Sequence, residues 1–108
     1  MEEYSNLSTY VFGYHITIIN QSKETVQLIE RHWEITDATG HIEIVEGKGV
    51  IGKQPYIKPQ TKFEYNSFCP LPTEFGNMSG FYKMQDHKGE FFKVEIPTFQ
   101  FIVPTSIN

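Results

Sequence analysis

The 108-residue chain has the length of one domain, with enough material to bury a single core without covalent staples. Thirteen acidic residues against nine basic ones give a net charge of −4 with no Lys/Arg cluster, which argues against nucleic acid as a general partner; one cysteine, Cys69, excludes an internal disulfide, and no apolar run approaches membrane-spanning length. The lack of a cysteine framework and of a secretory signal after Met1 sets the expectation of a cytoplasmic protein with no membrane partner.

Apolar residues alternate with polar ones in segments separated by turn residues, the pattern of antiparallel strands buried on one face. After the polar segment 1–9, Phe12, Tyr14, Ile16 and Ile18 share one face of the first strand, and Asn20 to Glu24 turn the chain. In the segment 25–36 the apolar phase flips, with Val26 and Leu28 on one parity and Ile29, Trp33 and Ile35 on the other. Such a slip predicts a β-bulge or a strand that changes sheets. Asp37 to Gly40 form a turn, after which Ile42 and Ile44 open a third strand that runs into Gly47-Lys48-Gly49-Val50-Ile51-Gly52. A further strand over 61–69 stops at Pro70-Leu71-Pro72, and the segment Pro70–Gly80 is expected to be an exposed loop. Tyr82 and Met84 are inward positions of a strand ending at Asp86-His87-Lys88-Gly89, a turn resembling that at Asp37. Phe91–Ile96 and Phe99–Val103 complete the set, with Pro97 marking an edge strand or a break. Nothing carries a sustained helical apolar period. About seven antiparallel strands with turn signals at roughly ten-residue spacing predict an all-β sandwich of fibronectin type III or immunoglobulin type, a small barrel being the alternative.

The glycine sextet has the G-x-G-x-x-G spacing of a phosphate-cradling loop, but Pro55 and Pro59 leave no room for the helix whose N-terminus normally completes such a site. Two readings of it remain: a nest of backbone N–H groups built from Gly47, Gly49 and Gly52 and assisted by Lys48 or Lys53, or a turn device that exploits positive φ. Arg31, beside the parity flip, is a candidate for contact with an anion. His15, His32, His41 and His87 are scattered; His41 and Glu43 share a strand face but fall short of the three or four ligands of a zinc centre. No pair of carboxylates and no signature around Cys69 marks catalysis, so an enzyme is not expected. Phe75 and Met78, apolar side chains in the 70–80 segment, are candidate contacts for a partner or plugs that fold back onto the core.

Several ordered blocks resemble the ApaG domain family: Tyr10-Val11-Phe12-Gly13-Tyr14; Arg31-His32-Trp33-Glu34-Ile35-Thr36-Asp37; the run from Gly47 to Pro55; Phe63-Glu64-Tyr65-Asn66-Ser67; Cys69-Pro70-Leu71; Gly76-Asn77-Met78-Ser79-Gly80-Phe81-Tyr82; and Ile96-Pro97-Thr98-Phe99. The resemblance spans nearly the whole chain and implies a fibronectin type III-like β-sandwich over 10–104, with 105–108 as a tail. It implies no reaction and no established cofactor. Related domains in an F-box substrate-recognition subunit and a polymerase-delta-interacting protein imply protein binding. A gene neighbourhood shared with diadenosine tetraphosphate hydrolysis, and a link to divalent-cation handling, imply the rival roles of nucleotide or cation binding. Family members commonly carry a strand ahead of the Tyr10 block. Its absence here would leave an exposed sheet edge, so the resemblance implies a monomer or a homodimer paired through that edge.

Overall fold

The computed structural model describes residues 9–103. The polar segment up to residue 8, and with it the question of a preceding strand, lies outside the described residues, as does the 105–108 tail. Seven strands follow in chain order: β1 (Tyr10–Asn20), β2 (Val26–Asp37), β3 (Ile42–Lys48), β4 (Tyr56–Ile57), β5 (Thr61–Leu71), β6 (Phe75–Gln85) and β7 (Phe91–Ile102). They form two antiparallel sheets, β1-β5 and β3-β2-β6-β7, with the short β4 paired to the start of β2. The expected all-β sandwich is therefore the fold, with unequal layers.

The phase changes in sequence have local causes. Leu28 pairs with Met84 but Glu30 with Lys83, so Ile29 is the extra residue of a bulge in β2. From there Arg31, Trp33 and Ile35 take the inward parity that Val26 and Leu28 hold before it. Likewise Met78 pairs with Phe99 and Gly80 with Ile96, which puts the surplus residue at Pro97-Thr98. Proline at a bulge in an outer strand forfeits no ladder hydrogen bond, so β7 runs unbroken where the sequence suggested an interruption. Asp37 and Asp86 close matching turns: each carboxylate accepts two backbone N–H groups, and Gly40 and Gly89 supply the positive φ.

The core lies between the sheets. Trp33 meets Tyr14, Tyr82 and Phe99 edge-on, and Phe12 stacks on Phe101 at 5.0 Å. Each fully buried large side chain contributes roughly 1.5–3 kcal/mol of transfer free energy before entropy, so this cluster accounts for much of the aromatic content. One polar contact crosses it: the hydroxyls of Tyr65 on β5 and Tyr82 on β6 are 2.5 Å apart. Burial pushes Tyr65 up to about 12 and Tyr82 further still. Buried Asn20 secures the end of β1 by donating to the carbonyls of Glu24 and Ile57, each at 2.8 Å, and accepting from the Ser22 amide.

Candidate functional site

Among the described residues, a sheet of two strands faces a sheet of five. β1 pairs only with β5 and β7 only with β6 among the described residues. Between these two free edges lies a groove of about 600 Å³, walled by Tyr14, Ile16 and Ile18 of β1 and by Val94, Ile96 and Phe99 of β7, with Tyr82 behind. Strand alternation explains its character: the inward residues of both edges are apolar, and here no neighbouring strand covers them.

The glycine sextet is divided between two elements. Gly47 and Lys48 end β3, whereas Val50-Ile51-Gly52-Lys53 is a two-residue hairpin turn in which Val50 and Lys53 exchange backbone hydrogen bonds of 2.8 and 2.9 Å. Ile51 and Gly52 both have positive φ, 43° and 77°, as a type I′ turn requires. The Gly49 amide donates to the Ile29 carbonyl at the β2 bulge. Three amides that a nest would offer to phosphate are thus consumed within the chain, which corrects the picture of a continuous cradle from Gly47 to Lys53. Arg31 sits directly opposite Gly47, folds across it, and donates to the carbonyls of Lys48 and Gly49 at 3.1 and 2.9 Å. The recess beside it also contains Glu30 and Glu46, which repel anions. The sequence places Arg31 near this loop but gives no sign that the loop's own carbonyls occupy the guanidinium.

The 70–80 segment is also corrected: apart from the tight turn at 72–74 it is strand, the end of β5 and the start of β6. Of the two readings left open for Met78, the core one holds: it is 1% exposed, while Phe75 is 53% exposed. Glycines at 76 and 80 read as loop residues, yet they serve close strand approach; a Cβ on Gly80 would stand 1.9 Å from the His32 carbonyl.

His41 precedes β3 and Glu43 lies on it, both exposed. No group of three or more His, Cys, Asp or Glu side chains among the described residues is arranged to hold a metal. His32, for which convergence with a carboxylate was left open, meets two glutamates on the outer sheet face. It approaches Glu46 at 2.5 Å and Glu34 at 3.3 Å and stacks on Phe81 at 4.6 Å, and Lys93 lies near the Phe81 ring. The hydrogen bond to Glu46, aided by that to Glu34, raises its pKa. Burial raises that of the Cys69 thiol, which keeps it protonated and inert. No helix among the described residues is long and apolar enough to cross a membrane.

This architecture is shared with known proteins. A family model described as the ApaG domain matches residues 2–86. Protein ApaG of Brucella abortus (strain S19) is 52% identical over 95 residues, covering 88% of this chain and 73% of its own; that of Brucella anthropi is 53% identical over the same span. Among solved structures, the Northeast Structural Genomics Consortium target SoR45 superposes with a TM-score of 0.89 at 42% identity, covering 92% of this chain and 75% of its own. A putative ApaA protein from Bordetella pertussis gives 0.86 at 42% identity, covering 91% and 80%. Matched by the family model over most of its length and by relatives at about half identity, this chain belongs to the ApaG domain family.

Proposed function

We propose that the chain is a non-enzymatic binding module of the cytoplasm whose ligand is another polypeptide. The observation that supports this most is the apolar groove between β1 and β7, each of which pairs on one side only among the described residues. Its walls carry aliphatic and aromatic side chains together with main-chain hydrogen-bonding groups, the combination by which sheet edges recognise extended peptides. The polar chemistry elsewhere is engaged internally: Arg31 by loop carbonyls, His32 by two glutamates, the buried tyrosines by each other. The test is site-specific photo-crosslinking in cells, with benzoylphenylalanine placed in turn at Thr17 on β1, Ile44 on β3 and Phe75 on β6. Discrete polypeptide adducts from at least one position are expected. Their absence from all three, with the chain folded, overturns the assignment.

A further inference from the structure

β3 is the least anchored strand of the sandwich. It holds no fully buried residue, whereas every other strand contributes at least one, and Ile42 and Ile44 are exposed. Of its apolar side chains only Val45 packs against the core. Among the described residues, one β3 side chain makes a hydrogen bond: the Glu46 carboxylate, to Nδ1 of His32 on β2. At the end of the strand Arg31 holds the Lys48 carbonyl. Segments with few buried contacts open well below the free energy of global unfolding. Behind β3 lies a cavity of about 200 Å³, walled by Val45, by Ile35 and Trp33 of β2, by Phe68 and Cys69 of β5 and by Met78 of β6. Glu43 also stands close enough to the buried Cys69 thiol to act on its charge, so β3 lies over the single cysteine.

The bond that ties β3 to β2 depends on a proton. His32 is set between two carboxylates, Nδ1 at 2.5 Å from Glu46 and Nε2 at 3.3 Å from Glu34, and its ring is stacked on Phe81 with 13° between the planes, which fixes its orientation. An imidazolium gives each carboxylate an N–H; a neutral imidazole has one N–H for the two, and that bond loses its charge assistance. The other charged groups on this face are Glu30 of β2, Lys48 of β3, Lys83 of β6, and Lys93 and Glu95 of β7. Glu34 shares a strand with His32, so Glu46 alone turns the proton into a link between strands. We infer that residues 42–46 form a pH-released cover over Cys69 and its cavity, closed while the His32 imidazolium bridges to Glu46 and loosened when its proton leaves. Glu46 first, and Glu34 after it, raise the folded pKa of His32. The cover is therefore tight below the ordinary histidine value of about 6.5 and loosens as pH rises through the raised one. This device is independent of the polypeptide assignment.

The test is amide hydrogen exchange of the full chain at low urea concentrations, on both sides of the His32 transition, with rates corrected for intrinsic exchange. Amides of 42–46 should be less protected than those of β5 and nearly insensitive to urea, the mark of a local opening. Their protection should fall about two- to fivefold as pH rises. Glu46→Gln should abolish that fall. Glu34→Gln, which leaves the link between strands, should keep it and move it towards the ordinary histidine value. Cys69 gives a second readout through its labelling by dithiodipyridine. The ratio of rates in Glu46→Gln and wild type, taken at one pH so that thiolate content cancels, should be about two to five below the transition and fall to about one above it. Unchanged Trp33 emission certifies the fold of each variant. Protection of 42–46 equal to that of β5 with the same urea dependence, a pH-linked fall that survives Glu46→Gln, or a labelling ratio of one at acid pH overturns the cover.

Discussion

Replacing Gly47 by alanine tests the coupling of the glycine pattern to Arg31. A Cβ at Gly47 would lie 2.8 to 2.9 Å from three atoms of the Arg31 guanidinium, closer than real Cβ atoms approach. The arginine must therefore leave the carbonyls of Lys48 and Gly49. Hydrogen bonds from a charged donor are worth about 1.5–3 kcal/mol each, and exposure of the Lys48 contact and partial exposure of the other cut the pair to about 1–3 kcal/mol. Alanine in place of glycine in a strand returns about 0.5–1 kcal/mol, so Gly47→Ala should destabilise by about 1–2 kcal/mol. Arg31→Met keeps an apolar stem but removes both bonds. In that background Gly47→Ala should be neutral or stabilising by up to about 1 kcal/mol, a coupling of about 1–3 kcal/mol in the double-mutant cycle. The assay is urea unfolding followed by emission from Trp33, the single tryptophan, 2% exposed and set among aromatic rings. Equal costs of Gly47→Ala in both backgrounds, within about 0.5 kcal/mol, would refute the packing of arginine on glycine.

Two other expectations bear on the same region. Gly49→Ala should cost several times as much stability as Gly52→Ala: a Cβ at 49 would stand 1.9 Å from the Lys53 carbonyl, whereas one at 52 meets nothing within 4 Å and incurs about 1 kcal/mol for its positive φ; urea midpoints of the two variants give the comparison. Because Glu46 and Glu34 raise the folded pKa of His32, its stabilisation is fully present below the ordinary histidine value and is lost as pH rises through the raised one. The urea midpoint should therefore fall as pH rises above the ordinary histidine value of about 6.5. His32→Asn should flatten part of that slope, leaving the share due to His15, which Asn66 and Glu64 also raise; an identical slope in His32→Asn refutes the contribution.

The sandwich was legible because alternation survives even where the phase slips. Leu28 and Trp33 can both point inward only if one residue between them is surplus, and Ile29 is that residue. The matching turns at Asp37 and Asp86 were equally plain, since the carboxylate and the glycine act within five residues of each other. What misled was the double meaning of glycine. Gly76 and Gly80, with Asn77 and Ser79 between them, have a loop's composition, but each lies hard against a carbonyl of β2, a constraint from residues forty or more positions away. The location of Met78 was consequently left open between partner contact and the core, where it lies. The β1 groove escaped notice for a related reason: alternation tells which face of a strand is buried, and says nothing of whether its edge has a neighbour.

The pairing of β1 with β5 also bears on how the chain folds. It joins Tyr10 to Leu71 and Asn20 to Thr61, with three intervening strands that belong to the other sheet or to its margin. The β2-β3 and β6-β7 hairpins close short loops, whereas β1 must wait for a loop of at least forty residues to be organised before it gains its first partner. During that interval both of its edges are bare, and an uncharged β-branched strand is most open to capture by another chain. The strand that walls the groove is therefore also the point at which the nascent chain most needs protection, so early formation of β5 is a safeguard against aggregation as well as a step towards the sandwich.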